Sequence, residues 1–120
     1  MYHFLLVFLG GGLGAALRWV IRETFENPTD FPWATFTANL LGCLLIGLLS
    51  GWSSKSFPMQ EQLFLFFAVG FCGGLTTFSS YMLENIHLAD LQKWMILLIY
   101  ATGSMFFGGV FLWIGRWMTA

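Results

Sequence analysis

Four hydroxyl side chains fall within five positions, Thr76, Thr77, Ser79 and Ser80, in the stretch GFCGGLTTFSSYMLEN from Gly70 to Asn85. Two aromatic residues, Phe78 and Tyr81, lie among them three positions apart, a spacing that lets both rings share a helical face. Hydroxyl hydrogens and ring edges both present positive density, so this set is suited to carrying a small dehydrated anion. Just before it stand Gly73 and Gly74. Paired glycines lose backbone entropy in a helix and β-branched threonines crowd the preceding turn, so a helix is expected to unwind at Gly73-Gly74. Carbonyls from Gly73 to Thr76 would then lose their partners, and free carbonyls in a low dielectric attract a cation. A plain kink, with the threonines bonded back onto helical carbonyls, is the competing account.

Other polar residues interrupt apolar runs. Asn39, in FTANLLGCLLIG, carries two donors and two acceptor sites that need partners in a dry interior, so it is either an interhelical clamp or a pathway residue. Tyr100 and Ser104 are one helical turn apart and share a face, with Thr102 between them. Arg18 lies near the end of its apolar run, where it either snorkels to the interface or makes a water-filled vestibule positive. Glu84 is similarly placed at the end of a later run.

These residues must be held by membrane helices. Of 120 residues, 58% are hydrophobic and only 9% charged, with a mean hydropathy of +0.74. A soluble domain carries roughly 25% charged residues, so this chain cannot cover a water-facing surface. The charges leave four gaps, Met1 to Leu17, Phe31 to Ser54, Gln62 to Leu83 and Trp94 to Gly115. Each approaches or exceeds the roughly 20 residues a helix needs to cross a bilayer. An all-α integral membrane protein follows, a single domain over 1–120 with helices near 2–22, 33–53, 62–86 and 94–117, the third broken partway. The first segment has no basic start and no A-x-A-like site, and is expected to remain as a membrane helix. Small residues four apart, Gly10/Gly14 and Gly47/Gly51, mark close helix contacts.

Four crossings put both termini on one side with Lys55 and Arg116, and leave Arg18, Arg22 and Lys93 on the other. So even a distribution gives the positive-inside rule little to act on. Either one extra charge sets the orientation, or the chain inserts both ways and pairs antiparallel about a two-fold axis in the membrane plane. No carboxylate lies in the middle of a crossing, which argues against a proton-coupled exchanger. Cys43 and Cys72 have no CxxC spacing and read as packing residues. No nucleophile–base pair, P-loop or basic–aromatic nucleic-acid surface is present, so an enzyme or a nucleic-acid binder is not expected.

Four segments, GGGLGAALRW at 10–19, FTANLLGCLLIG at 36–47, GFCGGLTTFSSYMLE at 70–84 and GS at 103–104, resemble the Fluc/CrcB family of fluoride channels, in all four helices in order and in a chain of the family's usual length. The resemblance implies an antiparallel, dual-topology homodimer in a bacterial inner membrane, with two pores for passive fluoride export and a structural sodium ion at the helix breaks. It implies Gly73 and Thr76 as carbonyl donors to sodium, Asn39 as the pore asparagine and Arg18 as the vestibule arginine. Phe78 matches the first ring of an aromatic box, Ser79 and Ser80 the hydroxyl positions beside the break, and Tyr100 and Ser104 a polar track. The chain departs from the family at two of these places. The second box ring is Tyr81 rather than Phe, and the third track hydroxyl is replaced by Gly108, leaving Thr102, water or a shorter track. The rival readings are a small dual-topology multidrug exporter, which needs a membrane-embedded Glu absent from the first helix, and a non-conducting assembly subunit.

Overall fold

The computed structural model describes residues 1–25, 30–53 and 61–120, and the linker residues Pro28, Lys55 and Pro58 lie outside them. Helix α1 spans Tyr2–Thr24 and α2 spans Trp33–Ser53. The third crossing comes in two pieces. The first, α3, runs from Glu61 to Leu75, with an α turn at Glu61–Phe64, a wider π-helical stretch at Leu65–Cys72 and a final α turn at Gly73–Leu75. The second, α4, spans Phe78–Asp90, and α5 spans Trp94–Thr119. The described residues thus give four helical spans long and apolar enough to cross a membrane, the third being Glu61–Asp90, and no strand.

What positions the third crossing is backbone packed on backbone. A Cβ placed on Gly10 would lie 2.3 Å from the Phe66 carbonyl oxygen, and one on Gly14 would lie 2.0 Å from that of Phe71. The other wall is built the same way, because a Cβ on Gly74 would fall 2.2 Å from the Gly11 oxygen and one on Gly70 2.9 Å from that of Val7. Gly10-x-x-x-Gly14 therefore faces a second such pair, Gly70-x-x-x-Gly74, and small residues bring the two helices together. The α2–α5 pair repeats the device, since a Cβ on Gly47 would lie 2.2 Å from the Leu112 oxygen and one on Gly115 2.4 Å from that of Leu44.

Even one methyl at Gly14 would have to push α3 backbone aside, and overpacking of this kind costs about 1–3 kcal/mol or more. Gly14→Ala is expected to lower the yield of detergent-stable protein several-fold on size-exclusion chromatography. Gly12→Ala, where a Cβ would meet nothing within 4 Å, should elute as the wild type does.

α4 ends in a Schellman-type turn. The Lys93 N–H reaches the Leu88 carbonyl and the Gln92 N–H that of Ala89, with Gln92 at φ 56° where glycine is usual. Lys93 also pairs with Asp30, tying this turn to the segment before α2. The single chain buries few large side chains, chiefly Tyr100, Leu75 and Cys72. Phe4, Phe8, Leu98, Met105 and Phe106 are all more than half exposed. Apolar surface on this scale belongs against lipid or another protein.

Candidate functional site

The helix breaks at Thr76 and Thr77, not at the paired glycines. Gly73 keeps helical angles, φ −62° and ψ −36°, and the α turn continues through Leu75. Thr76 then swings to ψ 153° and Thr77 to φ −150°, ψ 120°, both extended. The expectation of unwinding at Gly73-Gly74 is thus displaced by three residues. Gly74 serves the close approach of α1 described above rather than any freedom of its own backbone.

The two threonines divide the two accounts between them. Thr76 bonds back, since its N–H and its hydroxyl both donate to the Cys72 carbonyl at 2.9 Å. Thr77 starts the next helix, its Oγ1 accepting from the Ser80 N–H at 3.2 Å as an N-cap. Its own N–H and C=O, which an unbroken helix would satisfy, go instead to Asn39. The Thr77 N–H donates to Asn39 Oδ1 at 2.8 Å, and Asn39 Nδ2 donates to the Thr77 carbonyl at 3.2 Å. One amide side chain thereby supplies both bonds that the extended residue lacks. Gly42, a turn further along α2, makes room for this joint, because a Cβ there would lie 2.1 Å from the Thr76 methyl.

Two cavities adjoin the break, and Thr77 lines both. The first, about 370 Å³, is polar and is lined by Arg18, Arg22, Thr35, Ser79, Ser80 and Glu84 among others. Arg18 takes part in no ion pair among the described residues, so its charge is open to the cavity. The Glu84 carboxylate is engaged on both oxygens, by the Thr35 hydroxyl and the Tyr100 hydroxyl, each at 2.6 Å. Two guanidinium groups against one occupied carboxylate leave this vestibule positive, and a concave positive wall concentrates anions.

The second cavity, about 360 Å³, is a mainly apolar groove lined by Asn39, Cys43, Thr76, Phe78, Tyr81 and Ser104 among others. Phe78 is 73% exposed, and its ring centre lies 5.8 Å from that of Tyr81, which bears out the shared face. The extra hydroxyl of Tyr81 donates to the Ala101 carbonyl at 3.2 Å, which fixes the ring to α5. Ser104 Oγ is buried with no hydrogen-bond partner among the described residues.

The structure does not bring all the sequence-predicted residues to one place. Arg18, Ser79 and Ser80 share the vestibule, while Asn39, Phe78, Tyr81 and Ser104 share the groove. Tyr100 is fully buried and reaches Glu84, so it does not continue Ser104 along the groove. Thr102 does not fill the gap left by Gly108, because its hydroxyl turns back to the Leu98 carbonyl at 2.6 Å. Two partners were missed from the sequence, Thr35 and the role of Glu84 between Thr35 and Tyr100. Their separation in the chain gave no local signal.

Gly73 and Thr76 lie at the C-terminal end of α3, the negative end of a helix, whose last carbonyls have no following turn to bond them. No group of three or more His, Cys, Asp or Glu suited to a metal occurs among the described residues. A cation at this place would therefore be held by backbone oxygens, the donors preferred by hard ions such as sodium. Gly73 leaves that face open, since a Cβ there would meet nothing within 4 Å. The donor set fits.

A broken membrane-spanning helix, with a positive vestibule and an aromatic groove that share Thr77 at the break, defines a multi-pass membrane protein. Residues 5–116 match the family described as CrcB-like protein, Camphor Resistance (CrcB), and the chain belongs to that family. Among similar proteins, one from Rhodococcus jostii (strain RHA1), named fluoride-specific ion channel FluC 2, is 39% identical over 97% of this chain and 97% of its own. A second, the fluoride-specific ion channel FluC of Flavobacterium psychrophilum, is 40% identical over 91% of this chain and 90% of its own. The protein of the same name from Prosthecochloris aestuarii is 43% identical over 92% and 88%.

Proposed function

We propose that this protein is a passive fluoride-selective channel of a bacterial inner membrane, releasing fluoride that accumulates in the cytoplasm. The observation that carries the reading is the pair of cavities meeting at Thr77, in a chain whose relatives are named fluoride-specific channels. An anion gathered at Arg18 passes Ser79 and Ser80, crosses at the Asn39–Thr77 joint and continues past the edges of Phe78 and Tyr81 to Ser104. Fluoride is costly to dehydrate, and many weak donors in series replace its water without trapping it.

The working unit in this proposal is an antiparallel homodimer in the bilayer with two such paths. The exposure of Phe78 and of the Gly73 face supports it, because both lack in one chain the neighbours that a second copy would provide. The carbonyls of Gly73 and Thr76 from each copy would together hold one sodium ion, which supplies fixed positive charge between the two negative helix ends.

Efflux from liposomes containing only the purified chain, followed with fluoride- and chloride-selective electrodes, tests the function. Fast fluoride release without chloride release is expected. Silence toward both ions from a well-folded dimer would leave a packing subunit. Replacing sodium by N-methyl-D-glucamine should weaken the dimer, and a dimer indifferent to sodium would remove the ion from the proposal. Arg18→Gln should slow fluoride efflux several-fold at low salt and less at high salt, because screening shortens the reach of the lost charge. A salt-independent change would assign Arg18 to packing.

A further inference from the structure

We propose that the Cys43 thiol is an ion-contacting donor of the groove, standing in for the hydroxyl that the chain lacks at Gly108; this rests on the fluoride-channel reading above. Cys43 follows Asn39 by one helical turn on α2, so the two side chains share a face, and both line the groove with Phe78, Tyr81 and Ser104. The opposite wall is α5, where Gly108 follows Ser104 by one turn. A Cβ built on Gly108 would lie 3.5 Å from Cys43 Sγ, so the sulfur occupies the space beside the missing side chain.

Two further observations point to a ligand rather than to packing alone. The Ser104 hydroxyl on the same wall is buried without a partner, a donor for which the described protein offers no acceptor. Buried polar groups in this condition call for an unseen water or ion. Cys43, for its part, makes no hydrogen bond among the described residues, so its S–H is uncommitted. A thiol is a weak donor on a polarizable atom. Asn39, Cys43 and Ser104 thus offer three donors of differing strength around one groove, and a weak donor among them helps an ion to leave.

The test is fluoride efflux from liposomes carrying the wild type, Cys43→Ala or Cys43→Ser, each checked for an intact dimer by size-exclusion chromatography. Cys43→Ala, which keeps a small apolar side chain but no donor, is expected to slow efflux several-fold. Cys43→Ser restores the donor and should match or exceed the wild type. Capping the thiol with methyl methanethiosulfonate should slow the wild type, leave Cys43→Ser unaffected and proceed more slowly in saturating fluoride. Should Cys43→Ala fail to fold, the reagent on the wild type carries the test alone. An equally fast Cys43→Ala, a Cys43→Ser as slow as Cys43→Ala, or capping indifferent to fluoride would each overturn the inference while leaving a conducting channel. A wild type that releases no fluoride would instead overturn the channel reading, and this inference with it.

Discussion

Asn39→Asp is expected to cut fluoride efflux by about a hundredfold while leaving the dimer assembled. The new carboxylate still accepts from the Thr77 N–H, as Oδ1 does now. It cannot donate to the Thr77 carbonyl, so the bond from Nδ2 is replaced by two facing oxygens. To this is added a negative charge on the wall of the groove. For an ion passing about 6 Å away, at an effective dielectric of about 20, the repulsion is about 3 kcal/mol, which is roughly two orders of magnitude in rate. Efflux at the wild-type rate would remove Asn39 from the path. Aggregation in place of a dimer would assign it to holding the break alone.

The second large effect is expected at Phe78. Its ring is mostly exposed in the single chain, and its ring contact is with Tyr81, so Phe78→Ile costs the fold little. What isoleucine lacks is the positive ring edge turned toward an anion. Efflux is expected to fall by at least about tenfold, equivalent to losing about 1.4 kcal/mol of ion stabilisation along the proposed path. Chloride should remain excluded, because the vestibule and the Asn39–Thr77 joint are untouched. A Phe78→Ile protein that conducts normally would mean that the ion does not pass along the Phe78–Tyr81 face.

Much of this was legible in the chain because lipid is an exacting solvent. Uncharged runs of membrane-crossing length locate the helices to within a few residues, α1 and α5 each extending two residues beyond expectation. Asn39 was legible as a residue in need of partners. That both partners are backbone atoms of Thr77 was not, since the pairing joins positions 38 apart in the chain. The position of the break was misread because glycine carries two signals at once. Gly73-Gly74 looked like weakness in a helix, whereas Gly74 is helical and gives room to the Gly11 carbonyl. The same ambiguity hid Gly70 as the partner of the α1 glycines. Glu84 looked like a helix-end carboxylate until Thr35 and Tyr100 were found on its oxygens.

The Asn39–Thr77 joint has a mechanical consequence. Swinging α4 away from α3 would break both amide bonds that hold Thr77 to α2, each worth about 1 kcal/mol or more where water cannot replace it. On its other side α3 meets α1 backbone to backbone at Gly10, Gly14, Gly70 and Gly74. A bent helix is often a hinge; this one is a bracket. In the proposed channel, a path built on a bracket has no moving shutter at its centre, so nothing there can close behind a wrong ion. Discrimination must then act on every ion at every moment, and it falls to chemistry rather than to motion.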